Sequence, residues 1–102
     1  MANAMWYTYI LYSSKSKNFY FGYTANFRTR LSLHNLGKVV STAPCIPWKL
    51  INYTAFDNQK MAKNFELYLK TGSGKAFAYK RLLDCESLKK DKLGSKKGIP
   101  KL

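Results

Sequence analysis

Of the five acidic residues in this 102-residue chain, only Asp57 and Glu66 precede residue 84. That leaves few places for carboxylate chemistry. Asp57 stands just before a run with helical periodicity and reads as its N-cap, with Phe56 ahead of it as a staple partner. Glu66 is then the carboxylate of the main body open to a divalent cation. Mg²⁺ in phosphoryl-transfer sites takes one or two carboxylates and completes its shell with water and phosphate oxygens. The structural alternative is an ion pair with Lys70 at i+4 or Lys63 at i−3. Arg30 and His34 are one helical turn apart. A guanidinium at Arg30 could stabilise charge on a phosphoryl transition state, or serve only as a solvated charge or phosphate anchor. His34 could relay a proton or be a half-buried ring. The run Gly72-Ser73-Gly74-Lys75 is not a P-loop: Leu69 stands where the first glycine is required, and Ala76 follows the lysine in place of Ser or Thr.

The elements that must carry these groups are legible from pattern. Trp6–Tyr12 and Phe19–Thr24 are rich in aromatic and β-branched residues and read as a hairpin across the polar segment 13–18. Asn26 can cap a helix running to about Asn35, with Gly37 past its end. On it Phe27, Arg30, Leu31 and His34 share one face, so Arg30 and His34 should lean toward the interior edge. An irregular loop with Pro44 and Pro47 leads to a third strand, Trp48–Phe56. The next helix runs to about Lys70 with Met61, Ala62, Phe65, Tyr68 and Leu69 on its apolar stripe. Glu66, at about 100° per residue, falls on the flank of that stripe. The segment 71–74 breaks the helix, and a last helix covers Lys75–Leu83. The order ββαβαα predicts a small α+β domain, an antiparallel three-stranded β-sheet flanked by helices.

Composition narrows the partner. Eighteen Lys and Arg against five acids give a net charge of +13, which points to a polyanion, nucleic acid above all. No run approaches the length of a membrane span, and no lysine-faced amphipathic helix supports a membrane surface. The start has no signal-peptide pattern. Met5 offers an alternative start, with residues 1–4 as a leader. Cys45 and Cys85 are isolated, with only His34 to join them, which argues against zinc and fits reduced thiols in the cytoplasm. Tyr7, Tyr9, Tyr12, Tyr20, Tyr23 and Tyr53 concentrate in the strands, either as cross-strand aromatic pairs or as a stacking platform for unpaired bases. No RNP-type pattern accompanies them. Residues 89–102 carry six lysines with Gly94, Gly98 and Pro100 and read as a flexible basic tail that adds salt-sensitive affinity.

Taken in order, these residues resemble the GIY-YIG nuclease family. Tyr7-Thr8-Tyr9 stands in the place of the GIY element and Tyr20-Phe21-Gly22 in that of YIG, with ten residues between Tyr9 and Tyr20. Arg30 follows Gly22 by eight positions and His34 follows Arg30 by four, the places of the family's catalytic arginine and histidine. Glu66 lies on the later helix where the family keeps its metal ligand. Strings such as Phe21-Gly22-Tyr23-Thr24, His34-Asn35-Leu36-Gly37, Pro47-Trp48-Lys49-Leu50 and the segment from Glu66 to Gly74 are similar to the small stand-alone branch, related to the catalytic domain of the excision-repair subunit UvrC. The resemblance covers about residues 5–83. The chain departs from the pattern at Tyr23, where UvrC-type members carry a lysine, and near Ala78, where many members carry an asparagine.

The resemblance implies an endonuclease acting on DNA, in a repair setting, in a domain spanning residues 5–88. Its catalytic residues would be Tyr9, Tyr20, Arg30, His34 and Glu66, with Glu66 holding Mg²⁺ or Mn²⁺. One of the two tyrosines would activate water; an ordinary tyrosine, with a pKa of about 10, is a poor base at neutral pH unless shifted. Tyr23, Arg28, Lys38, Lys70 and Lys75 are the expected nucleic-acid contacts. A domain this small would need targeting by substrate shape or by a protein partner. Two other classes stay open at this point: a binding module that keeps the fold without cutting, and a structural or protein-interaction domain.

Overall fold

Strand β1 (Trp6–Ser13) turns back into β2 (Asn18–Thr24), and Lys17, at φ 62°, closes the turn with its N–H on the Ser13 carbonyl. Helix α1 (Phe27–Asn35) follows, then a 3₁₀ turn at Ala43–Cys45, strand β3 (Trp48–Phe56), and helices α2 (Gln59–Leu69) and α3 (Gly72–Arg81). The computed structural model describes residues 5–83. The leader at 1–4, Cys85, the expected domain end at 88 and the basic tail at 89–102 lie outside the described residues. The sheet is antiparallel in the order β2-β1-β3, so the α+β class, the three strands and the three flanking helices are as the sequence predicts. No helix among the described residues is long and apolar enough to cross a membrane.

Alternation along the strands divides the core in two. Ile10 and Phe21, with Ile51, pack against Leu69 and Ala78 of α2 and α3. Tyr9, Leu11 and Trp48 face the other way and pack with Tyr20, Leu31 and Leu50. The β1–β3 pairing is bulged at Ile51, with Ile10 opposite Asn52 and Leu11 opposite Leu50; Leu50 and Ile51 pack on opposite faces. Helix α1 therefore lies on one side of the sheet and α2–α3 on the other. Asn35 fastens the end of α1 to the start of β3: its amide donates to the Trp48 carbonyl (3.0 Å) and its oxygen accepts from the Trp48 N–H (2.6 Å).

Helix α1 begins at its expected cap, with the Asn26 side chain accepting from the Thr29 N–H, and ends before Gly37 at φ 77°. Two boundaries differ from expectation. The cap of α2 is Asn58 rather than Asp57; the Asn58 oxygen accepts from the Met61 N–H at 2.8 Å, and Asp57 accepts from the Asn58 amide. The break between α2 and α3 is confined to residues 70–71. Thr71 caps α3, and Gly72, Ser73 and Gly74 form its first turn. Gly74 is needed there because a Cβ at this position would collide with the Tyr68 carbonyl.

Candidate active site

Tyr9 comes from the central strand and is paired in register with Gly22 of the edge strand β2. A Cβ on Gly22 would lie 2.5 Å from the Tyr9 hydroxyl and 3.1 Å from the Tyr20 ring. The missing side chain thus lets the Tyr9 phenol lie across β2 and bring its hydroxyl to the sheet's edge. Tyr20 shares that face, its ring 6.2 Å from that of Tyr9 and 4.9 Å edge-on from His34. Helix α1 supplies Arg30, half-buried, and His34, fully buried. The 3.6-residue period places both on the sheet-facing side with Phe27 and Leu31.

A chain of hydrogen bonds fixes the proton positions. The Thr42 hydroxyl donates to the Val39 carbonyl at 3.3 Å and so accepts, at 2.8 Å, from His34 Nδ1–H. His34 Nε2 then carries the lone pair, and the Tyr9 hydroxyl donates to it across 3.1 Å. Thr42 is itself held by the Trp48 indole N–H, 2.9 Å from its carbonyl. Burial, helped by the positive charge of Arg30, lowers the His34 pKa to about 4, so at neutral pH the ring is an uncharged acceptor. Burial pushes the Tyr9 hydroxyl up to about 12; the hydrogen-bonding approach and charge of Arg30 oppose that rise, while the charges of Tyr20 and Glu66 add to it. Arg30 is raised above its ordinary value, chiefly by its hydrogen bond with Tyr9.

Glu66 arrives from the other helical layer. It is buried, 6% exposed, on the same line of α2 as Ala62 and Leu69, not on the flank the apolar pattern predicts. Met61 and Tyr68, expected in the stripe, are exposed. The Glu66 carboxylate pairs with the half-exposed Lys70 ammonium, the i+4 contact that the spacing allows. Its charge adds, as the smallest contribution, to the rise of the Tyr9 pKa. No cluster of three or more His, Cys, Asp or Glu side chains occurs among the described residues, so a metal here would have one carboxylate and otherwise water or phosphate oxygens. That donor set suits Mg²⁺ or Mn²⁺, which keep much of their water. Lys70 already holds a positive charge against that carboxylate on a side chain able to swing away.

Tyr9, Tyr20, Arg30 and His34 are thus brought together, while Glu66 lies on α2 in the opposite helical layer. The expected nucleic-acid contacts are scattered. Tyr23 faces the opposite side of the sheet, against the Trp6 ring at 6.2 Å. Arg28, Lys38 and Lys75 are exposed, and Lys70 is engaged with Glu66. Two residues that shape the site carry little signal of their own in the sequence. Thr42 lies in a loop without periodicity, so no spacing signals it. Gly22 is legible only as a letter of a motif, since its purpose is an absence of atoms beside Tyr9.

A family model described as the GIY-YIG catalytic domain matches residues 5–80. Among curated proteins, the UPF0213 protein YsiG of Lactococcus lactis is 39% identical over 66 residues, which are 64% of this chain and 62% of that protein. The match therefore spans less than two thirds of that relative's length. Among solved structures, the solution structure of the UPF0213 protein BH0048 from Bacillus halodurans is similar at 28% identity and a TM-score of 0.47, over 74% of this chain and 83% of that one.

Proposed function

The chain belongs to the GIY-YIG family, a family of nuclease domains, and from that premise we propose that it is a divalent-metal-dependent endonuclease hydrolysing a phosphodiester in DNA. The observation that carries this reading is the hydrogen-bonded series Tyr9–His34–Thr42 with the Arg30 guanidinium directed at the Tyr9 hydroxyl. Glu66 would hold Mg²⁺ or Mn²⁺, which when bound polarises the scissile phosphate and eases ionisation nearby. Tyr9, protonated in the resting state, takes a proton from the attacking water as its own passes to His34 Nε2. His34 Nε2 is open to it because Nδ1–H is committed to Thr42. With a pKa of about 4 the ring is a weak base, so the transfer would rely on acidification of the water by the metal ion and by Arg30. Arg30 donates to the charge gathering on the phosphoryl oxygens. Proton transfer through a positioned group of this kind contributes about 10²–10⁴-fold to rate. Tyr20, edge-on to His34, confines the ring and is the second tyrosine of the pair.

Two observations favour a second reading, a binding module that does not cut: Glu66 is paired with Lys70, and Tyr9 is shifted away from easy ionisation. Chelation separates the two. With EDTA present the protein is expected to keep binding DNA and to stop cleaving it, and added Mg²⁺ or Mn²⁺ is expected to restore cleavage. Binding with no cleavage under any divalent ion would overturn the nuclease reading, and cleavage that persists in EDTA would overturn its metal dependence.

A further inference from the structure

The chemistry above uses the part of the α1-facing side of the sheet where Tyr9 crosses toward β2. Beside it, toward β3, where Tyr53 is the cross-strand partner of Tyr9, three aromatic rings are left unused. Phe27 stacks on Tyr53 with centroids 4.4 Å apart and planes at 23°, and Tyr7 meets both edge-on at 5.0 and 5.7 Å. These rings are not sealed in a core: Tyr53 is 49% exposed. A cleft of about 390 Å³ opens over them, lined by Tyr7, Ala25, Asn26, Phe27, Arg28 and Tyr53, within the range of small-ligand sites.

Its position is tied to the site. Tyr7 lies two residues from Tyr9 on the same face of β1, and Phe27 lies one helical turn before Arg30. The lining holds no carboxylate and one exposed cation, Arg28. The Asn26 oxygen is spent on capping α1, at 3.1 Å from the Thr29 N–H, and its amide hydrogens are not used in that bond.

We propose that this cleft binds an unpaired nucleobase of the strand next to the scissile phosphate. The base stacks on the Phe27–Tyr53 pair and Arg28 pairs with an adjoining phosphate. An aromatic floor gives contact to any base without reading its edge, and the net charge of +13 selects a polyanionic chain to carry that base. The consequence is a substrate class: DNA with a single-stranded, flapped or bulged nucleotide beside the cut. The adjacency to a cut rests on the nuclease reading; the stacking does not.

The test is therefore a binding assay in EDTA, in which no cleavage is read. Fluorescence anisotropy would compare wild type, Tyr53→Ala and Tyr53→Trp on a labelled single-stranded DNA and on the same length made entirely abasic. Tyr53→Ala is expected to weaken binding of the intact strand about 5- to 150-fold, the span found for loss of one stacked base. Tyr53→Trp should restore it, and the three proteins should bind the abasic strand alike. Equal binding of the intact strand by wild type and Tyr53→Ala would overturn the proposal. So would an equal loss on both strands, or no binding of the intact strand by wild type at low salt. An enzyme that fails to cleave in Mg²⁺ yet passes this assay would sink the nuclease reading alone.

Discussion

His34 is a buried ring that must stay neutral to do its work, and this has a measurable sign. Its pKa of about 4 in the folded protein lies below the ordinary 6.5, so the unfolded chain binds the proton first. The stability that His34 contributes is complete above about pH 6.5 and is lost as pH falls toward 4. Urea midpoints measured from pH 4 to 8 should show that decline in the wild type and a flatter profile in His34→Gln. Thr42→Val strands the buried Nδ1–H and should cost about 1–3 kcal/mol across the whole range. A wild-type decline no steeper than that of His34→Gln would remove the neutral-acceptor role. Tyr9, Tyr20, Arg30 and His34 were legible in the sequence because order and spacing survive folding. Thr42 was not, since it reaches His34 only through the path of an irregular loop. Glu66 is the main-body carboxylate that caps no helix, but an apolar pattern cannot show its burial, because the inward line of α2 runs through this charged residue between Ala62 and Leu69.

At the scale of elements, two glycines set distances that side chains would spoil. Gly22 lets the Tyr9 phenol cross β2, and Gly74 lets α3 start against the end of α2. Gly22→Ala is expected to destabilise the fold by about 1–3 kcal/mol, as overpacking does, and to displace the Tyr9 hydroxyl from His34 Nε2. Cleavage should then fall much further than the stability loss explains, at temperatures where the variant is fully folded. Full activity in folded Gly22→Ala would show that the close approach has no catalytic purpose. The strands and α1 could be read almost to the residue, because aromatic runs, an asparagine cap and a terminal glycine all agree. The α2–α3 junction could not. Glycine costs about 1 kcal/mol in a helix, so a Gly-Ser-Gly run reads as a break, whereas the tight contact at Tyr68 and the Thr71 cap outweigh that cost. Asn58 and Asp57 are both good caps, and composition alone does not choose between neighbours.

The whole molecule has α1 and α2–α3 on opposite sides of one sheet, with the tyrosines, arginine and histidine on one side and the glutamate entering from the other. The whole chain carries a net charge of +13. Binding should weaken steeply with salt, the slope of log K against log salt being about −0.7 to −0.9 for each phosphate neutralised. We propose that the six lysines of residues 89–102 contribute part of that slope and none of the chemistry. Ending the chain at residue 88 should flatten the salt dependence and weaken binding while cleavage at saturating protein persists. Cleavage lost outright at saturation would contradict that division of labour.

We propose that Arg30 and Glu66, brought from opposite layers, act on one phosphodiester. Nicking of supercoiled plasmid in Mg²⁺ or Mn²⁺ tests it most directly, comparing wild type with Glu66→Ala and Arg30→Ala at matched folding and matched DNA binding. Nicking by the wild type and its loss in both variants are expected. Equal nicking by all three, or none by a wild type that binds DNA normally, would contradict it.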